Sequence, residues 1–149
     1  MTEQMARPTI VDSPARMSRR TNRERPMIRW YWQQVGGTLI EEFCVVRRSP
    51  TCEVRRLDGV IVKNGPRQIV HQSEISVEGQ DLIVVQAKIG RLGMSVMGQT
   101  FFSRELLLQR CNPRSVEAVA LVMNDDDVLR PLLEKYGGRV EVYRVSVAR

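Results

Sequence analysis

Histidine and cysteine are scarce in this chain. Its 149 residues include one histidine, His71, and three cysteines, Cys44, Cys52 and Cys111. An odd cysteine number, no CxxC spacing and a single histidine exclude a zinc ligand set and a secreted disulfide framework, so the thiols are expected buried or free in a reducing compartment. No Ser or Cys nucleophile pairs convincingly with His71, which reads as a surface or hydrogen-bonding residue rather than a base. No apolar run approaches the roughly 20 residues that span a bilayer, and the N-terminus lacks the apolar core of a signal peptide. A soluble, cytoplasmic protein without membrane contact is the expectation. Gly90 to Gly93, GRLG, has neither the GKS/T ending nor the GxGxxG spacing of a phosphate loop. No internal repeat is visible.

What is present fits one globular domain. Hydrophobic residues make up 42% and charged residues 27%, ordinary values for a chain that buries a single core. The formal net charge is +6 and arginine far outnumbers lysine. Arginine suits bidentate phosphate contacts, so the excess is compatible with a polyanionic partner such as nucleic acid. Residues 1–25 combine scattered polar residues with Arg16, Arg19, Arg20, Arg23 and Arg25, and are expected to form a flexible basic arm ahead of a domain at 26–149. The arm is either a solvated tail or a phosphate contact.

From Pro26 the sequence reads as a helix stopped by Gly36-Gly37, with Ile28 and Val35 packing inward and at least one of Trp30, Tyr31 and Trp32 left near the surface. TLIEEFCVVRR and EVRRLDGVIV, joined around Ser49-Pro50-Thr51, read as an antiparallel hairpin. An extended piece around Ile69 to Ile75 has no assignable partner. The apolar run Leu82 to Val85 predicts a strand buried on both faces. Met94 to Arg110 follows as a helix with Met94, Met97, Phe101 and Leu108 as its core stripe. SVEAVALVM is a second buried strand, Asp125 to Tyr136 a helix, and RVEVYRVSV a last strand. Asp125-Asp126-Asp127 sits where that helix begins and reads as capping. The expected class is α/β, a mixed sheet flanked by helices in the order αβββαβ plus a C-terminal αβ.

The chemically informative residues are Asp58 on one strand and Gln86-Ala87-Lys88 at the end of a buried one. Alternate strand residues share a face, so Gln86 and Lys88 project together. A lysine on an otherwise apolar strand costs desolvation unless its ammonium meets an anion, a metal-bound water or solvent. A carboxylate and an amide oxygen can bind a hard divalent cation, beside which an ammonium orients water or stabilises a phosphate.

At these residues the sequence resembles the PD-(D/E)xK nuclease superfamily, whose core runs helix, three strands, helix, strand, over roughly Pro26 to Met123. The resemblance implies a restriction-endonuclease-like fold in which Asp58 and Gln86 bind Mg²⁺ or Mn²⁺ and Lys88 assists the nucleophile. Gln86 stands where the family usually has an acid, similar to the QxK variant of Mrr-type restriction endonucleases, and removes one negative charge from the metal site. Members often add an acid from the first helix or strand. Glu24, Glu41 and Glu42 are candidates, and a turn centred near Pro50 puts Glu42 across from Asp58. Gln99 resembles a helical glutamine used near the site. Arg19, Arg20 and Arg91 are expected phosphate contacts. The implied activity is metal-dependent endonuclease cleavage, of DNA first, with a homodimer or a recognition partner supplying specificity. The alternatives are a nucleic-acid-binding module without cleavage and an assembly factor using the aromatics of RWYW.

Overall fold

The computed structural model describes residues 14–144, with side chains from Arg23 onward. Helix α1 spans Pro14–Val35, strand β1 Thr38–Val46, β2 Arg55–Val62, β3 Gln68–Val70, β4 Asp81–Arg91, helix α2 Met94–Arg110, β5 Ser115–Asn124, α3 Leu129–Lys135 and β6 Gly138–Val142. The protein is α/β with one mixed six-stranded sheet, order β3-β1-β2-β4-β5-β6. β2 is antiparallel to both β1 and β4, and every other pairing is parallel. Among the described residues no helix is long and apolar enough to cross a membrane.

Two apolar layers cover the sheet. Met27, Ile28 and Tyr31 of α1 pack on Leu39, Ile61, Ile83, Val85 and Leu121. On the other face Leu107 of α2 meets Ile40, Val60, Val62, Leu82 and Val84, while Val96 and Met97 meet Ala120 and Val122. β4 is buried on both faces because α1 and α2 cover it from opposite sides, which explains its unbroken apolar run.

Several boundaries differ from the sequence reading. α1 begins at Pro14 and carries Pro26 in its interior. The stretch 14–25 holds five arginines, good helix formers that need no apolar stripe. Residues 1–13 of the expected arm lie outside the described residues. Gly36 and Gly37, at φ +78° and +81°, end α1, with the Gly36 amide donating to the Trp32 carbonyl at 2.7 Å; this is the left-handed stop that glycine provides. Val35 is exposed, because it precedes that stop. The extended piece after Pro66 becomes β3, a parallel edge strand on β1, so four strands rather than three separate α1 from α2. α2 has the expected bounds, but its buried face is Val96, Met97, Thr100, Ser103 and Leu107. Met94 and Leu108 are exposed. Apolar identity suggested the stripe, whereas the direction of burial selected small polar residues at two of its positions.

Candidate active site

The hairpin forms around Ser49-Pro50-Thr51, whose turn closes with the Ser49 amide on the Cys52 carbonyl at 3.0 Å. Its register pairs Glu41 with Gly59 and Phe43 with Leu57, so Glu42 stands opposite Asp58. Glu42 has φ +56°, the one non-glycine residue with positive φ among the described residues. A left-handed glutamate costs on the order of 1 kcal/mol or more, and such residues persist where surrounding structure enforces them. The side-chain alternation of β1 reverses here: Leu39 faces the α1 core and Ile40 the α2 core, yet Phe43 and Val45 both face α2.

β2 and β4 pair from Val62–Leu82 to Gly59–Val85 and then part. Side chains take over the ladder where the backbones diverge. The Asp58 amide donates to Gln86 Oε1 at 3.2 Å, and the Ala87 amide donates to Asp58 Oδ2 at 2.9 Å. Gln86 Nε2 donates to Ser103 Oγ on α2 at 2.5 Å. Gln86 is 6% exposed, so these bonds satisfy a buried amide that would otherwise cost about 1–3 kcal/mol. Asp58, Gln86 and Ser103 are therefore one connected group spanning β2, β4 and α2.

Lys88 lies two residues beyond Gln86 on the same face of β4, opposite Val122 of β5. It is exposed. Its ammonium makes no hydrogen bond or ion pair among the described residues. Of the outlets open to a lysine on an apolar strand, an anion, a metal-bound water or solvent, Lys88 reaches solvent at the strand end.

Of the three candidate acids, Glu41 is committed to α1. Arg29 donates to it through Nε at 2.7 Å and Nη2 at 2.9 Å, and that hydrogen bond raises the Arg29 pKa. Glu24 lies on α1, and Glu42 is the acid that register brings to Asp58. Gln99 is exposed on α2, one helical turn before Ser103. Arg91 donates through Nη1 to the Asp125 carbonyl at 2.6 Å, so it ties β4 to the loop after β5. Arg19 and Arg20 fall within α1, and their side chains lie outside the described residues. Asp126 accepts the Val128 and Leu129 amides at 3.0 and 2.9 Å, which is the expected capping at the entry to α3. That helix begins at Leu129 rather than Asp125 because the acidic run forms the turn before it.

Among the described residues no three His, Cys, Asp or Glu side chains gather as a metal cluster. The donors at Asp58 do suit magnesium, which is bound by one or two carboxylates with its remaining positions left to water and phosphate. Asp58 Oδ2 accepts the Ala87 amide and Gln86 Oε1 the Asp58 amide, and a carboxylate or amide oxygen carries two lone pairs. Ser103 was missed from the sequence. Its signal was a small hydroxyl residue at the 96-100-103-107 spacing of a buried helix face, where a polar atom requires a partner. No family model, curated protein or solved structure matches this chain.

Proposed function

We propose that this chain is a restriction-endonuclease-like domain that hydrolyses phosphodiester bonds, in DNA first. The observation that supports the reading is the register of β2 and β4, which sets Asp58 opposite Gln86 where the strands part, with Lys88 two residues on and open to solvent. The order α1, β1, β2, β4, α2, β5 is also compatible with the helix, three strands, helix, strand core of PD-(D/E)xK nucleases, with β3 added at the sheet edge.

In this reading Asp58 and Gln86 hold Mg²⁺ or Mn²⁺, with Glu42 as the further acid. When bound, the ion supplies a lowered pKa for a coordinated water and neutralises charge on the phosphate. Lys88 contributes three N–H donors at the strand end, placed to orient the attacking water and to stabilise negative charge on a phosphate oxygen. Ser103 is a positioning residue: it holds the Gln86 amide so that Oε1 stays aimed at Asp58. The site lies on packed strands, which limits its freedom to rearrange.

Plasmid cleavage with Mg²⁺ or Mn²⁺ tests the assignment. Asp58→Ala and Lys88→Ala are each expected to lower the rate by about 10²-fold or more, the loss typical of removing one electrostatic contributor. Equal rates in all three proteins would eliminate the site. A second reading, nucleic-acid binding without cleavage, is favoured by one observation: both ends of Gln86 are already hydrogen bonded. It predicts salt-sensitive binding that chelator leaves unchanged and no turnover. The assembly reading built on RWYW loses its motivation, because Tyr31 is buried and Trp30 and Trp32 pack partly against the α1 core.

A further inference from the structure

Beyond Asp58, β1 and β2 leave the sheet as a two-stranded ribbon. Pairing with β4 stops at Gly59–Val85, whereas pairing between β1 and β2 continues to Val46–Arg55. The ten residues from Arg47 to Arg56 hold four arginines and one glutamate, a net +3 that is half the +6 of the whole chain. Arg47, Arg48 and Arg55 are exposed and Arg56 is half-buried. Arg48 comes within 4.0 Å of Glu53, with both side chains in solvent, a pair that contributes little. Arg47 and Arg55 have no carboxylate partner among the described residues. A fifth cation arrives from α2: Arg110 donates through Nε to the Val45 carbonyl at 3.4 Å, beside the Cys44–Arg56 and Val46–Arg55 cross-strand pairs.

Of these cations, Arg47 and Arg55 meet no carboxylate among the described residues, and like charges placed this close repel one another. All five are arginine, whose fork matches phosphate oxygens in pairs, rather than lysine, which acts as a point charge. Along β2, Arg55 is three residues from Asp58, about 10 Å, the axial rise of about three base-pair steps of a duplex. We infer that the β1–β2 ribbon is a phosphate-binding surface along which a nucleic-acid backbone lies, with Arg47, Arg48 and Arg55 on phosphates next to the one at Asp58 and Lys88. The inference rests on the nuclease reading of that site and adds to it where the substrate runs. These arginines are separate from Arg91, which bonds the Asp125 carbonyl through Nη1, and from the segment holding Arg19 and Arg20.

Fluorescence anisotropy with a labelled DNA duplex in EDTA, across about 50 to 200 mM KCl, compares the wild type with the Arg47→Ala, Arg48→Ala, Arg55→Ala triple variant. Far-ultraviolet circular dichroism establishes that the variant is folded, which three exposed substitutions should allow. The triple variant is expected to bind more than about tenfold more weakly at the low-salt end and to show a slope of log affinity against log salt shallower by about 2 to 3. Lysine at the same three positions should restore most of that slope, because it keeps the charge. Unchanged affinity and slope in the alanine variant, with wild-type binding and cleavage intact, would overturn the ribbon assignment alone. A wild type that neither binds nor cuts would remove the nuclease reading with it. Loss of polyglutamate binding with duplex binding intact would assign the ribbon to acidic polypeptide and overturn the inference.

Discussion

Where β4, β5 and β6 begin, Asp81 is bonded to Arg114, Ser115 and Asn64, and Glu117 is bonded to Lys63 and Arg139. Where β4 ends and β2 begins, Lys88, Arg47 and Arg55 meet no carboxylate among the described residues. The same sheet thus carries bonded charge at one end and, at the other, three cations that meet no carboxylate among the described residues. At the bonded end the pKa shifts follow the bonds: Arg114 and Ser115 hold the Asp81 carboxyl well below the usual carboxylate range, and Lys63 lowers that of Glu117. Such bonds satisfy each other and leave little for a ligand to do. In the proposed reading, the cations at the opposite end are the ones a polyanionic partner would meet.

Exchanging the two aspartates in thought gives the largest expected contrast. Asp58→Asn should lower cleavage by about 10²-fold, and Asp81→Asn should leave cleavage at the wild-type rate. Stability separates the two aspartates by a different measurement. The folded pKa of Asp81 is depressed, so its stabilisation is complete above the unfolded value near 3.9 and is lost as pH falls through the lower folded value. Asp81→Asn should therefore melt below the wild type at neutral pH, with the gap closing progressively below about pH 4. A constant gap from pH 7 to pH 2 in thermal melts would show that Asp81 contributes by packing rather than charge. Cleavage lost equally in both variants would erase the distinction between the two ends.

A smaller effect separates the two interactions of Gln86. Ser103→Ala leaves the buried Nε2 without an acceptor, and is expected to cost about 1–3 kcal/mol in denaturant unfolding. An unchanged midpoint would mean that α2 does not hold Gln86 and that the amide turns to solvent instead.

The parts of this arrangement legible in the sequence were those set by one-dimensional period and by turns. The Pro50 turn placed Glu42 across from Asp58, and alternation along the run from Leu82 placed Gln86 and Lys88 on one face. What escaped was three-dimensional. The direction in which α2 buries its face could not be read from Met94 and Leu108, which are apolar yet exposed, so Ser103 went unnoticed. The start of α1 escaped because charged residues can form a helix with no apolar stripe to mark it. The left-handed Glu42 left no trace either, since nothing in a glutamate codon position distinguishes a reversed strand from a regular one. Nor could the sequence show that one guanidinium nitrogen of Arg91 bonds the Asp125 carbonyl.

The smallest expected effect concerns Gly98, on the outward side of α2 between the exposed Met94 and Phe102. It precedes Gln99 and lies at the end of the sheet that carries Lys88. A Cβ added at Gly98 would meet nothing within 4 Å, and its φ is not positive. Neither close packing nor backbone conformation therefore requires glycine at this position. In a helix interior glycine is about 0.5–1 kcal/mol less favourable than alanine, because more backbone freedom is lost on folding. Gly98→Ala should accordingly stabilise the domain by that amount, seen as a higher denaturant midpoint with an unchanged slope. Destabilisation would show that α2 needs the gap for its own packing, which would place an internal constraint at the end of the sheet that faces the ligand in the proposed reading.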